Sequence, residues 1–229
     1  MLAWLERGDP FPPVERALKN PNGLLAAGAD LSVGRLLEAY RRGIFPWYSS
    51  GQPPLWWSPD PRMVLFVDEL RVPRSLAKSV RNKGYEVRID TAFPDVLRGC
   101  SEPRNYAPGT WLGPDMRTAY ARLHSEGYAH SFETWRENEL VGGLYGVAVG
   151  RMFYGESMFS RATDASKVAL VKLVEVLKTR GFQLIDCQMH TQLLESLGAR
   201  EIPRREFLRA LAGLVNYPER PVKWSRVET

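Results

Sequence analysis

Hydrophobic and polar positions along this chain repeat with two different periods, and the switches between them mark its elements. The run RMFYGESMF, Arg151–Phe159, is aromatic and apolar with alternation, which predicts a strand. SRATDASKVALVKLVEVLKTRG follows. Its apolar residues Val168, Leu170, Val171, Val174 and Leu177 form a helical stripe, and Gly181 closes it. LIDCQ then predicts a short strand with Asp186 and Gln188 on one face, because side chains alternate with period two. A strand bearing Glu156, a helix start and a strand bearing Asp186 thus fall within about 35 residues, the ordinary size of a β–loop–α–β unit. If the two strands lie side by side, their acidic groups share one cleft, where strand ends and a helix N-terminus meet.

Upstream, residues 1–22 are proline-rich and predict loop, with at most one helical turn at Val14–Leu18. Asn22-Gly23 signals a turn. Ser32 is placed to cap a helix over Val33–Arg42 that turns Leu36, Leu37 and Tyr40 inward and ends at Gly43. In Ile44–Arg62 the residues Pro46, Pro53, Pro54, Pro59 and Pro61 forbid a continuous helix or a central strand. The same stretch holds Phe45, Trp47, Tyr48, Trp56 and Trp57. Such an aromatic loop is either a packed seam or a set of rings offered for stacking; Trp47 suits stacking, Trp56 and Trp57 a seam. From Met63 the pattern predicts a strand, a helix over Pro73–Asn82 with a basic outer face, a strand over Tyr85–Asp90 and a short helix over Thr91–Gly99. A loop over 101–114 and a helix from a capping Asp115 to Ser125 come next. Tyr128–Trp135, Leu140–Val149 and Arg151–Phe159 predict an antiparallel meander. After Gln188 come a short helix at Thr191–Leu197, a link at Ala199–Ile202, an amphipathic helix over Arg204–Leu214 and a loose tail.

This organisation predicts two units, a small aromatic- and proline-rich N-terminal domain over 1–62 and a larger one over 63–229. The order in the larger unit, β-α-β-α-α, a three-strand meander, then α-β-α, resembles the α+β fold of the GCN5-related N-acetyltransferases, a mixed sheet with flanking helices. Those enzymes hold the acyl-CoA pyrophosphate with a glycine-rich loop after their fourth strand. The equivalent loop here, SRATDASK, has no glycine, so the close backbone approach that glycine permits is missing. Backbone amides at the helix start could still hold an anion.

At 229 residues, 44% hydrophobic and 25% charged, the chain can bury a sizeable core. No run reaches the length of a membrane span and MLAWLERGDPFPP lacks a signal-peptide layout, so a soluble cytoplasmic protein is expected. Cys100 and Cys187 give no disulfide framework. His124, His130 and His190 show no metal-ligand spacing with them, so no metal is expected. A net charge of +5 and a pI near 9.3 decide little alone. Their distribution says more: Arg62, Arg71, Arg74, Lys78, Arg81 and Lys83 fall within 22 positions against Asp68 and Glu69, and Arg200, Arg204, Arg205 and Arg209 form a second cluster. Such patches either neutralise phosphates or are plain solvated faces.

GLLAAGADLS, RRGIFPWY, LWWSPDPRMVL, GTW, AHSFETW, LVGGLYGV, GESMFS, ASK, LIDCQ and SLGAREIPRREF, in this order, resemble the bacterial leucyl/phenylalanyl-tRNA–protein transferases over residues 22–207. The resemblance implies transfer of Leu or Phe from aminoacyl-tRNA to the α-amino group of a protein that begins with Arg or Lys, which creates an N-terminal degron. A monomer is expected. The donor ester is already activated, so no ATP, metal or other cofactor is implied. Two other classes stay open on the residues alone, an acyl-CoA-dependent N-acyltransferase and a non-catalytic RNA-binding module.

Ester aminolysis needs a neutral amine, a route for its proton and support for an oxyanion. An α-amino group has a pKa of about 8, so a well-placed carboxylate suffices. Gln188 could orient the amine or relay its proton while Asp186 polarises Gln188 or accepts the proton, and the resemblance implies such a relay for the matching pair. Alternatively Asp186 simply binds the cationic acceptor. Glu156 is a second carboxylate for the acceptor's cationic end. Cys187 should point to the opposite face as an inert thiol, and His124 and His130 read as structural. The resemblance further implies that Leu144, Phe153, Met158, Leu170 and Ile185 line a pocket for an apolar side chain unbranched at Cβ. It puts Trp47 and Trp111 against the donor's terminal adenosine, and Arg74, Lys78, Arg81 and Lys83 against acceptor-stem phosphates, independently of RNA sequence. Strict alternation sets Phe153 and Met158 on opposite faces, so either the strand bulges near Gly155 or one of them is core. Family members often carry a histidine two positions after the residue matching Thr191; Leu193 stands there in this chain.

Overall fold

The computed structural model describes residues 2–102, 111–217 and 221–224. The chain opens with β1 (Ala3–Leu5), β2 (Leu24–Gly28), α1 (Val33–Arg41), β3 (Phe45–Pro46) and β4 (Leu55–Trp57). The strands form a small sheet in the order β1-β2-β4-β3. The Ser32 hydroxyl caps α1 as its composition predicts, accepting the Arg35 N–H. Two expectations fail here. Residues 3–5 are a strand rather than loop, and β4 is an interior strand in spite of the surrounding prolines. The reason is local: Leu55-Trp56-Trp57 is itself free of proline, so the ladder survives for that triplet. Trp56 is fully buried and donates its indole N–H to the Gly28 carbonyl at 2.9 Å, which makes it the seam residue.

The larger part contains β5 (Arg62–Phe66), α2 (Arg74–Asn82), β6 (Glu86–Ile89), α3 (Phe93–Ser101) and α4 (Pro114–Ser125). It continues with β7 (Ala129–Arg136), β8 (Glu139–Val149), β9 (Met152–Ser160), α5 (Ala165–Thr179), β10 (Leu184–Gln188), α6 (Gln192–Ser196), β11 (Arg200–Ile202) and α7 (Arg204–Leu214). Seven strands form one mixed sheet in the order β11-β5-β10-β9-β8-β7-β6. β7, β8 and β9 are the expected antiparallel meander, and α5 carries the chain from β9 to its parallel neighbour β10. A mixed sheet with flanking helices is the architecture the element order predicts; the small N-terminal sheet is not. Three details differ. The link at 199–202 is an edge strand, β11, paired to β5. Asp115 does not cap α4; Gly113 holds that position without a side-chain bond, and Pro114 opens the helix. Part of the loop expected over 101–114, residues 103–110, lies outside the described residues.

Alternation along the strands sends side chains to two cores. Val64, Tyr145, Val147, Met152, Tyr154 and Leu184 pack with α1, α3, α4, α7 and the small sheet. Met63, Leu65, Leu144, Phe153 and Ile185 pack with α2 and α5 on the opposite face. One irregularity interrupts β9: Tyr145 pairs with Ser157 and Gly146 with Gly155, so Glu156 is the extra residue of a bulge. The bulge answers the parity conflict between Phe153 and Met158, since both belong to the face under α5.

The tail is not loose where it is described. Trp224 is 5% exposed and packs into the second core. Its ring stacks on His130 with centroids 3.9 Å apart, the Arg180 guanidinium lies over it, and the Trp224 backbone N–H donates to the Asp90 carboxylate. Trp224→Ala is expected to lower the free energy of unfolding by about 3 kcal/mol, the usual cost of deleting a buried aromatic. Val222→Ala, at a 45% exposed position, should stay within about 0.5 kcal/mol. Urea titrations of the two variants test both values.

Candidate active site

The site lies where two parallel strands part. β10 pairs with β9 through Asp186↔Tyr154 and no further. β9 continues to Ser160 against β8, whereas β10 ends at Gln188, whose φ of 63° turns the chain away. A cavity of about 570 Å³ opens in the gap. One wall is apolar: Leu144, Met158 and Ile185 from the sheet face under α5, and Leu170 and Leu173 from α5 itself. Leu193 and Leu194 from α6 extend it. Phe45, Trp47 and Trp111 border it from the other side, and Glu156 and Gln188 supply its polar end.

Glu156 is 9% exposed and sits in a cage of donors. The Tyr40 hydroxyl donates to Oε1 at 2.8 Å, the Tyr120 hydroxyl to Oε2 at 2.6 Å, and the Gln188 amide to Oε1 at 3.3 Å. Burial raises its pKa to about 7; the two phenols and Gln188 pull the other way, and the neighbouring Asp186 adds to the rise. Asp186 shares this face of the sheet but does not border the cavity. It is fully buried, and Arg62 holds it with two bonds, Nε to Oδ1 at 2.8 Å and Nη2 to Oδ2 at 2.6 Å. Oδ1 also accepts the Gln188 backbone N–H at 2.9 Å, which fixes the left-handed turn. In place of the expected partnership of Asp186 and Gln188 side chains on one strand face, Asp186 bonds the Gln188 backbone, because the strand ends irregularly between them. Burial pushes the Cys187 thiol up, away from thiolate chemistry, and the residue packs on the α5 face.

A family model described as leucyl/phenylalanyl-tRNA protein transferase matches residues 64–212. The chain belongs to this family. A second model, the N-terminal domain of the leucyl/phenylalanyl-tRNA protein transferases, matches residues 29–60. The leucyl/phenylalanyl-tRNA–protein transferase of Chromobacterium violaceum is 60% identical over 224 residues, 98% of this chain and 96% of that one. That of Thiobacillus denitrificans is 63% identical over 215 residues, 94% of each chain. Among solved structures, FemX superposes with a TM-score of 0.47 at 9% identity, covering 79% of this chain and 71% of that one.

Within this leucyl/phenylalanyl-tRNA–protein transferase family member, most residues singled out in the sequence gather at the cavity: Glu156, Gln188, Trp47, Trp111, Leu144, Met158, Leu170 and Ile185. Phe153 does not. It is fully buried, packs against Gly146 and does not border the cavity, so its expected place in the wall is corrected to core. Arg74, Lys78 and Arg81 form an exposed row on α2, and Lys83 is half-buried with its ammonium on the Thr163 carbonyl. The second basic cluster is partly committed to structure, since Arg200 pairs with Glu69 and Arg204 bonds Ser58 and Asp60. The loop before α5 is no open anion cradle. Ser160 accepts the Ser166 N–H, and the Asp164 carboxylate sits at the helix start, bonded to Ser79 and Lys167. Sequence reasoning missed Arg62, Tyr40 and Tyr120 as members of the site. Tyr40 was expected to face inward, but nothing in the pattern pairs it with a carboxyl 116 positions away.

A raised folded-state pKa at Glu156 means that the folded chain binds more protons than the unfolded one between pH 4.5 and about 7. Its contribution is thus present below pH 4.5 and lost as pH rises through about 7. Relative to Glu156→Gln, the wild-type chain should lose roughly 3 kcal/mol of stability across that window. Paired denaturation curves at pH 5 and pH 8 measure it.

Proposed function

We propose that this chain transfers leucyl or phenylalanyl groups from aminoacyl-tRNA to the N-terminal α-amino group of proteins that begin with Arg or Lys, as a cytoplasmic monomer without a cofactor. The observation that carries the reading is the apolar cavity between the parted ends of β9 and β10, closed at one end by Glu156 and Gln188. An unbranched-Cβ apolar side chain fits the wall of Leu144, Met158, Leu170 and Ile185, leaving its ester at the polar end. Trp47 and Trp111 at the other border offer rings to the terminal adenosine. The amine nitrogen attacks the ester carbonyl, a C–N bond forms, the bond to the ribose oxygen breaks, and one proton passes from nitrogen to that oxygen. Gln188 and Glu156 meet the amine. Asp186, committed to Arg62, acts as a positioning residue that sets Gln188 through its backbone. The domain over 1–62 roofs the cavity with Phe45 and Trp47, and that over 63–229 supplies the rest. The carboxylate of Asp164 at the start of α5 argues against an acyl-CoA pyrophosphate there.

Radiolabelled leucine on charged tRNA is expected to pass to an Arg-initiated peptide and not to a Glu-initiated one; no transfer to either would sink the reading. Arg74, Lys78 and Arg81 stand at the spacing of one helix face, exposed, and suit phosphate contacts. Replacing all three with alanine should flatten the slope of log affinity for tRNA against log salt by about two. An unchanged slope would place the RNA elsewhere.

A further inference from the structure

Tyr40 from α1 and Tyr120 from α4 reach the two oxygens of Glu156 and also lie 3.0 Å from each other, oxygen to oxygen. The three groups make a closed ring of three short oxygen–oxygen contacts. Two phenols bring two protons. If both donate to a carboxylate, the Tyr40–Tyr120 contact sets lone pair against lone pair in a buried site, which is unfavourable. A third proton, on the carboxyl, satisfies every contact. Oε2–H then donates to Tyr120, Tyr120 donates to Tyr40, and Tyr40 donates to Oε1; Gln188 donates to Oε1 in either state.

We propose that Tyr40, Tyr120 and Glu156 form a proton-sharing ring, and that Glu156 within it takes the proton of the incoming α-ammonium group, with the two phenols as positioning residues. The inference rests on the transfer reading above. The carboxylate gains a proton and the ammonium becomes a neutral amine. That amine attacks the ester, its surplus proton leaves on the ribose oxygen, and the ring later returns its own proton to water. Charges balance as ammonium plus ester going to amide, alcohol and one proton.

The surroundings favour Glu156 as the group that changes state. Burial holds the phenols of Tyr40, Tyr120, Tyr145 and Tyr154 well above their ordinary range, and it pushes the Cys187 thiol up as well. Asp186 faces the ring with its charge committed to the buried Arg62. A carboxyl at about 7 is matched to an amine of pKa about 8, as efficient proton exchange requires.

The test reads the carboxyl directly, on the full chain without substrate. Protein labelled with ¹³C at the glutamate carboxyl is titrated from pH 4 to pH 9, and the Glu156 resonance is assigned by its loss in Glu156→Gln. The expected midpoint lies near 7. Tyr40→Phe and Tyr120→Phe each remove a donor to the ionised form and should raise the midpoint by about one unit. The acidic limb of kcat/KM should move by the same amount in each variant, with KM for charged tRNA unchanged. A wild-type midpoint between 4 and 5, or midpoints unmoved in both Phe variants, overturns the ring. A limb that stays in place while the midpoint moves overturns Glu156 as the proton acceptor. A midpoint near 7 in a protein that transfers nothing would instead remove the transfer reading and leave the ring standing.

Discussion

The bond between Arg62 and Asp186 ties several parts of the chain together at one buried point. Both side chains are completely buried, and either one alone would cost several kcal/mol as an unpaired charge. The pair joins the first strand of the large sheet to the strand beside the cavity. The remaining Arg62 nitrogen, Nη1, donates to the Gly43 carbonyl, and its guanidinium lies against the rings of Phe45 and Phe207. One cation thus fastens β5, β10, the N-terminal unit and α7 at a single point. That point is next to the place where β10 stops pairing with β9. Asp186 also holds the backbone of Gln188, so the charge that fixes the packing fixes the edge of the cavity too.

Two faces of the sheet divide the work. The face under α5 is wholly apolar near the cavity and offers a surface for a hydrocarbon side chain. The opposite face carries Tyr40, Tyr120, Glu156 and the Arg62–Asp186 pair, joined by buried hydrogen bonds. The bulge at Glu156 lets one strand serve both. Without the extra residue, Met158 would follow strict alternation onto the polar face and the apolar wall would lose a member. Bulges near active sites commonly re-aim a side chain in this way.

How far the sequence foretold this depended on the kind of signal each element carries. Long periodic segments were legible: α5, α7 and the meander follow their hydrophobic stripes closely, and Ser32 capped α1 where expected. The small sheet was not, because β1 and β4 are three residues long and LLAAG has little β-branched or aromatic content. The cavity's walls were legible mainly through family resemblance, since Leu144, Leu170 and Ile185 look like any core residues by composition. Phe153 failed although the bulge puts it on the same face as Met158: it is packed beside Gly146 and Trp224 instead of bordering the cavity, and a hydrophobic pattern does not distinguish wall from core on one face. Arg62 failed because an arginine after a proline looks like a surface charge, and its partner lies 124 positions away. The tail failed because a single tryptophan among charged residues gives no periodicity, while its stack on His130 depends on tertiary placement alone.

A slot cut between two strands differs from a pocket hollowed among side chains. Its strand edges are set by the main-chain bonds that hold β9 to β8 and β10 to β5, while Leu170 and Leu173 of α5 stand across from them. Exchanging Leu144 or Met158 for a smaller or larger group can therefore deepen or shorten the slot while leaving the spacing of its strand edges unchanged. Depth in such a slot is open to substitution; the spacing of its strand edges is not.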